Sequence, residues 1–182
     1  MVQPLLFQTD LIETPIGKLL IVADRDGNLR AAGWVEHEGD VLHQLRLNYG
    51  ENGFQVEQLD NPHGLSDAFR DYFAGQLSAI DRLPVETGGT RFQREVWHEL
   101  RNVRCGTTIS YAQLAQRIGR PNAVRAVGLA NGSNPVPIVV PCHRVIGSDG
   151  SLTGYGGGIE RKRWLLEHEK CISAVRQSKL AY

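Results

Sequence analysis

Apolar and polar residues alternate with two different periods along this chain of 182 residues. In the first half the apolar positions come in short runs separated by turn-forming residues. Residues 18–23 and 29–34 read as strands, and Asp24-Arg25-Asp26-Gly27-Asn28 between them has the composition of a tight reversal. Val41, Leu42 and Leu45 share a helical face behind Asp40, a residue suited to an N-cap, and Gly50 supplies the stop. Residues 54–59 alternate as another strand. Ser66 is placed to cap a helix carrying Phe69, Tyr72 and Phe73, which Gly75 ends. The pattern predicts a small α/β unit. No polar cluster accompanies it, so it reads as a scaffold.

Turn residues crowd together from Leu83-Pro84 to Gly88-Gly89 and set a boundary between units 1–88 and 89–182. Past it the period lengthens to that of helices. Thr90 and Gln93 have capping-box spacing, and Phe92, Val96 and Leu100 form an i, i+4, i+8 stripe in which Phe92 and Trp97 are core candidates. Ser110 and Gln113 repeat the box ahead of Leu114, Ala115 and Ile118. Gly119 breaks that helix, and Pro121 suits the first turn of the next. Ala115 and Gly119 stand where a helix-turn-helix needs a small residue and a tight turn. The second helix, predicted over residues 121–130, is made of Ala123, Val124, Ala126, Gly128 and Ala130 with one long side chain, Arg125. Such a smooth surface fits either a nucleic-acid groove or tight packing in a core.

Composition adds constraints. A hydrophobic fraction of 41% with 22% charged residues is that of a soluble globular protein. No apolar run is long enough for a bilayer, and the N-terminus lacks the features of a secretory signal, so a cytoplasmic protein with no membrane partner is expected. Cys105, Cys142 and Cys171 have no CxxC or zinc-type spacing and fit free thiols in a reducing compartment. The net charge of zero hides an asymmetry: residues 1–90 carry 6 Lys/Arg and 14 Asp/Glu, residues 91–182 carry 14 and 6. Opposed halves suit attraction between the halves, or a polyanion bound by the basic one.

The candidate chemistry lies in PVPIVVPCHRV, residues 135–145, which sets Cys142 and His143 in a rigid apolar context. A free thiol is only a few per cent thiolate at neutral pH, and an imidazole with nearby cations can activate it. Neighbours on a straight strand point to opposite faces, so either the backbone bends at Cys142 or a water relays the proton. The imidazole then needs an orienting group, and Glu167 and Glu169 are sequence-distant candidates. A Cys-His dipeptide by itself is equally the mark of a buried core thiol. The run Gly154-Tyr155-Gly156-Gly157-Gly158 fails the G-x-G-x-x-G spacing, because position 159 is Ile. It reads instead as a loop over a cleft with Tyr155 as a stacking surface. Arg161, Lys162 and Arg163 follow it with positive charge.

Together these segments resemble the O6-alkylguanine-DNA alkyltransferases. PCHRVIG is preceded by NGSNPVPIVV and followed by TGYGGGIERKRWLLEHE, and FQREVW, GTTISYAQLA and RPNAVRAVGLANGSNP match upstream, so the likeness runs nearly unbroken through residues 90–170. TPIGKLLIVA and GLSDAFRDYFAG resemble the constitutive bacterial Ogt-type branch. The resemblance implies an α/β protein with a ribonuclease-H-like N-terminal domain and a mainly helical, winged helix-turn-helix C-terminal domain. It implies a monomer without a cofactor that repairs duplex DNA by irreversible, stoichiometric alkyl transfer from O6-alkylguanine, with O4-alkylthymine as a second candidate.

On the family's motif, Cys142 is the alkyl acceptor, His143 the base acting through a water, Glu169 the residue orienting the imidazole, and Asn134 the brace of the segment. Tyr111 matches the residue that rotates the target phosphate and donates a proton toward the departing guanine. Arg125 matches a finger that enters the stack in place of the flipped nucleotide. Ala123, Val124, Ala126 and Gly128 match the helix face in the minor groove. Tyr155, Gly156 and Gly157 line the base pocket, with Lys162 assisting. Relatives often carry serine where this chain has Gly156, which leaves only a backbone N–H toward O6. Some relatives hold zinc through N-terminal cysteines and histidines; the first cysteine here is Cys105, so no metal is expected. A cysteine hydrolase and a non-catalytic DNA-binding module are the alternatives, and whether Cys142 accepts an alkyl group separates them.

Overall fold

The computed structural model describes residues 4–35 and 38–171. It opens with an antiparallel meander of β1 (Leu5–Thr14), β2 (Gly17–Asp24) and β3 (Leu29–Trp34). After α1 (Glu38–Tyr49), β4 (Phe54–Gln58) returns parallel to β1, so the sheet order is β3-β2-β1-β4. Asp24 builds the β2–β3 reversal. Its Oδ1 accepts from the backbone N–H of Asp26 (3.0 Å) and Asn28 (2.8 Å), its Oδ2 accepts from Arg30 Nε (2.7 Å), and Gly27 takes the left-handed position at φ 84°. Strand β2 is covered on both faces, which explains its unbroken apolar run. Val41 and Leu45 of α1 pack with Leu20 and Val22, and Leu19, Ile21 and Ala23 join the main core opposite.

Two sequence expectations are corrected here. Helix α1 starts at Glu38, so Asp40 lies within the helix and not at its cap. Helix α2 (Leu65–Phe73) is capped by Gly64 at φ 76°, and Ser66 sits in its first turn. The Ser66 hydroxyl is drawn elsewhere: it donates to Oδ2 of the buried Asp10 in β1, which also accepts from the Asn61 N–H at 3.0 Å. A buried carboxylate needs donors more than a helix end needs one further acceptor.

The second half contains α3 (Arg91–Leu100), α4 (Tyr111–Arg117), α5 (Val124–Gly132) and α6 (Ile159–His168). Two short strands, β5 (Ile109–Ser110) and β6 (Val145–Ile146), pair in parallel. Both capping boxes form, Thr90 with Gln93 and Ser110 with Gln113. Helix α4 ends in paired reverse bonds, Arg120 N–H to Ala115 O and Gly119 N–H to Gln116 O (both 2.9 Å), with Gly119 at φ 71°. A further turn, Ala123 N–H to Arg120 O at 2.9 Å, delays the next helix. Helix α5 therefore begins at Val124, three residues after Pro121.

The halves share one apolar core. Leu19, Ile21, Phe69 and Tyr72 from the first pack in the same cluster as Val96, Leu100, Val136 and Leu165 from the second. The Ala32 N–H donates to Pro135 O across the seam at 2.8 Å, tying β3 to the segment that carries Cys142. Among the described residues, each ion pair joins partners from the same half, so the seam there is apolar and hydrogen-bonded. Among those residues no helix is long and apolar enough to cross a membrane.

Candidate active site

The backbone bends at Cys142. Residues Cys142–Arg144 form a 3₁₀ turn, entered by Val140 N–H to Val136 O (3.0 Å) and Cys142 N–H to Val140 O (2.8 Å). Asn134 staples the segment: its Nδ2 donates to Val140 O (2.7 Å) and its Oδ1 accepts from Val136 N–H (3.0 Å). Ile138 is held at φ 77°, a conformation that costs a β-branched residue about 1–3 kcal/mol. Complete burial of Val136 and Ile138 opposes release of that strain. The prolines, β-branched residues and Asn134 thus produce a fixed bend with Cys142 at its end.

The thiol is 6% exposed, and burial pushes its pKa up despite Asn134, the Lys162 cation and the backbone N–H groups of Cys142 and His143. Burial likewise pushes the His143 imidazole down, even though Glu169 favours its charged form. The resting pair is neutral thiol and neutral imidazole. His143 Nε2 meets Glu169 Oε1 at 3.0 Å, while its buried Nδ1 has no hydrogen-bond partner among the described residues. Burial would raise the Glu169 carboxyl, but the bonds from Arg144 and His143 and their charges hold it well below the usual carboxylate range. With Glu169 ionised, Nε2 carries the proton and Nδ1 is left as an acceptor. Of the two carboxylates considered, Glu169 holds the imidazole; half-buried Glu167 makes no bond to it.

Two partners of Glu169 were not singled out in the sequence. Arg144 embraces the carboxylate through Nε and Nη2, both at 2.8 Å, and Tyr72 OH donates to Oε1 at 2.7 Å. Arg144 was visible within PCHRV as the residue after the dyad. Tyr72 read as core and is core, with its hydroxyl directed at the site.

A cavity of about 260 Å³ opens at Cys142. Its walls include Asn134, Pro135, Tyr155, Gly156 and Gly157 from the second half and Gly33, Trp34 and His43 from the first. Trp34, also not foreseen, fills the space beside Gly157, where a Cβ would overlap the indole Nε1. The Arg161 guanidinium lies over that indole, 4.6 Å from the ring centroid. Lys162 is fully buried beneath the glycine loop and donates to the carbonyls of Val145 (2.6 Å) and Thr153 (2.7 Å). Burial lowers its pKa to about 8. Tyr111 OH donates to Thr153 O at 3.2 Å, and the ring lies beside Gly128 of α5.

Helix α5 is neither wholly core nor wholly surface. Val127, Ala130 and Asn131 are buried, Ala123, Val124 and Gly128 are half-buried, and Arg125, Ala126 and Leu129 are exposed. Arg125 makes no hydrogen bond or ion pair among the described residues. No cluster of three or more potential metal ligands occurs among them.

An oriented imidazole and a cysteine at a backbone bend, beside two short helices joined by a tight turn, are the parts that a thiol acting on DNA would need. The comparisons narrow this class. Residues 9–87 match the 6-O-methylguanine DNA methyltransferase ribonuclease-like domain, and residues 91–171 match the DNA binding domain of the same family. The methylated-DNA–protein-cysteine methyltransferase of Shigella flexneri is 54% identical over 158 residues, 87% of this chain and 92% of that protein. The structure of Mycobacterium tuberculosis OGT in complex with DNA superposes with a TM-score of 0.73 at 41% identity, covering 91% of this chain and 92% of that one. That of the Pyrococcus kodakaraensis O6-methylguanine-DNA methyltransferase gives 0.67 at 28% identity over 90% and 98%. The chain belongs to the 6-O-methylguanine DNA methyltransferase family.

Proposed function

We propose that this chain repairs duplex DNA by moving the alkyl group of O6-alkylguanine irreversibly onto Cys142, one transfer per chain. O4-alkylthymine is a second candidate substrate. The observation that carries this reading is the pairing of a buried cysteine at the floor of a base-sized cavity with an imidazole whose Nε2 is fixed and whose Nδ1 is unsatisfied. In the reaction the Cys142 proton passes through a water to His143 Nδ1, and sulfur attacks the alkyl carbon as the bond to O6 breaks. Tyr111 supplies a proton to the departing guanine, and the phenolate and imidazolium then exchange a proton through solvent. A thioether is left with no hydrolysable bond.

The lesion reaches the cavity by leaving the base stack, at a cost of a few kcal/mol. Arg125 takes the vacated place, and the small face of Ala123, Val124, Ala126 and Gly128 lies in the minor groove. Asn134 braces the cysteine segment, Tyr155, Gly156 and Gly157 form the base pocket, and Lys162 fixes the loop above it. The working form is a cytoplasmic monomer without cofactor, divided into units 1–88 and 89–182. Duplex DNA with labelled O6-methylguanine, followed by peptide mass analysis, tests the reading. Label on any residue other than Cys142, or many transfers per chain, would overturn it.

A further inference from the structure

Glu169 Oε1 is shared by donors from both halves: His143 Nε2 and Arg144 Nη2 from the second, and Tyr72 OH from the first. Tyr72 is fully buried on α2, with Phe73 and His168 edge-on to its ring at 5.3 and 5.2 Å. Its backbone carbonyl is bound to His168 Nε2 at 2.7 Å, so the residue is held at its main chain as well as at its hydroxyl. Burial and the adjacent carboxylate keep that phenol protonated, and it remains a donor throughout the working pH range.

We propose that Tyr72 is a positioning residue for alkyl transfer, setting the basicity and orientation of His143 by competing with it for Glu169 Oε1. The proposal rests on His143 being the base. Donors on one oxygen polarise one another, and each draws charge from the carboxylate that would otherwise stabilise imidazolium. Removing the phenol returns that charge to the His143 bond and makes the imidazole more basic; a stronger phenol donor does the reverse. The other groups facing this pair are Arg144 on the same turn, Lys162 on α6, Tyr155 in the glycine loop, whose phenol is kept protonated by burial, and Cys142, Cys105 after α3 and Cys171 after α6. Burial raises all three thiols, so they are neutral at working pH, and the two cations are the same in every variant below. The ribonuclease-like half thereby acts on the reaction through one hydroxyl.

The test uses the full chain and fluorescent O6-benzylguanine as probe. The rate of Cys142 alkylation is followed against pH for the unaltered protein, Tyr72→Phe, 3-fluorotyrosine installed at Tyr72, and His143→Asn. The His143 Nε2–H resonance is recorded in parallel, since it reports bond strength to Glu169 even where the imidazole does not titrate. Tyr72→Phe should move the acid limb of the rate profile up by about half to one pH unit and the Nε2–H resonance downfield. Fluorotyrosine should move both the other way. A lowered melting temperature with limb and resonance unmoved would mean a purely structural tyrosine and overturns the proposal. If Tyr72→Phe does not fold, an unmoved fluorotyrosine protein overturns it. An acid limb that survives in His143→Asn would instead refute His143 as the base, a failure of the underlying reading that is visible without any Tyr72 variant.

Discussion

Glu169→Gln changes one atom type and should be felt in both stability and reactivity. Glu169 is 2% exposed, and its carboxylate takes four bonds from oxygen and nitrogen donors, from Tyr72, His143 and twice from Arg144, with a longer one from Cys171 Sγ at 3.8 Å. An amide offers one acceptor oxygen and one donor nitrogen. Turned either way, its N–H₂ faces a donor: Arg144 Nε, or the Tyr72 and His143 groups. Breaking a buried pair from one side costs about 3–5 kcal/mol, which for a chain of this size lowers the melting temperature by roughly 6–20 °C. The loss should depend on pH with a definite sign. Glu169 has its pKa depressed by folding, so its contribution is complete above the ordinary carboxyl value of 4.5 and is lost as the pH falls below it. The gap between unaltered protein and variant should therefore be widest at pH 7 and shrink toward acid. An amide N–H₂ opposite His143 Nε2 also favours the tautomer with the proton on Nδ1, which removes the base and lowers the alkylation rate about 10²–10⁴-fold. Urea melts at pH 7 and pH 4 and single-turnover rates with O6-benzylguanine measure both effects. A stability within 1 kcal/mol of the unaltered protein at pH 7, or a gap that ignores pH, would refute this account of the network.

Other consequences follow from the cleft and helix α5. In Gly157→Ala the new methyl would overlap the Trp34 indole and come within 2.8 Å of Tyr155 Cε1, at a cost of about 1–3 kcal/mol; the rate with O6-benzylguanine should fall more than that with O6-methylguanine, and equal losses would dismiss the steric argument. Arg125→Ala should weaken repair of a lesion more than binding to undamaged duplex, as read by transfer assays beside gel shifts, and parallel losses would reject its insertion into the stack. With roughly 3 to 5 phosphates contacted, log affinity for duplex should fall against log salt with a slope of about −3 to −4; a flat response would leave the basic half without a polyanion.

The chemistry was legible where it was local. Cys142 and His143 are adjacent, the capping boxes at Thr90 and Ser110 carry their own spacing, and the αL turn at Gly119 follows from glycine in that place. Residue pattern alone left Glu169 as one of two carboxylates, and the resemblance chose it; the local pattern does not show which residue at the end of α6 turns inward. What the sequence hid were contacts across the seam. Tyr72 has helical spacing with Phe69 and Phe73, so its ring signalled core and nothing signalled the destination of its hydroxyl, 97 residues along the chain. Trp34 reads only as the end of a strand, yet it walls the cavity. Strand β1 escaped for a different reason: polar Gln8, Thr9 and Asp10 interrupt its apolar alternation, and Asp10 is tolerated because Ser66 and the Asn61 N–H reach it from outside the strand.

These contacts alter the part the first half plays. Its net charge opposes that of the second, a long-range attraction that fixes no particular geometry. What crosses the seam is more specific. The Ala32 N–H holds Pro135 at the entrance to the cysteine segment, Trp34 occupies the space Gly157 leaves, and Tyr72 binds the carboxylate behind His143. Burial raises the Cys142 thiol and lowers the His143 imidazole, so both rest neutral. In the proposed reaction, which uses the cysteine once, that restraint spares the thiol until a substrate base occupies the cavity. The first half, which showed no chemistry of its own in the sequence, supplies a wall of the cavity from its sheet and a bond to Glu169 from α2.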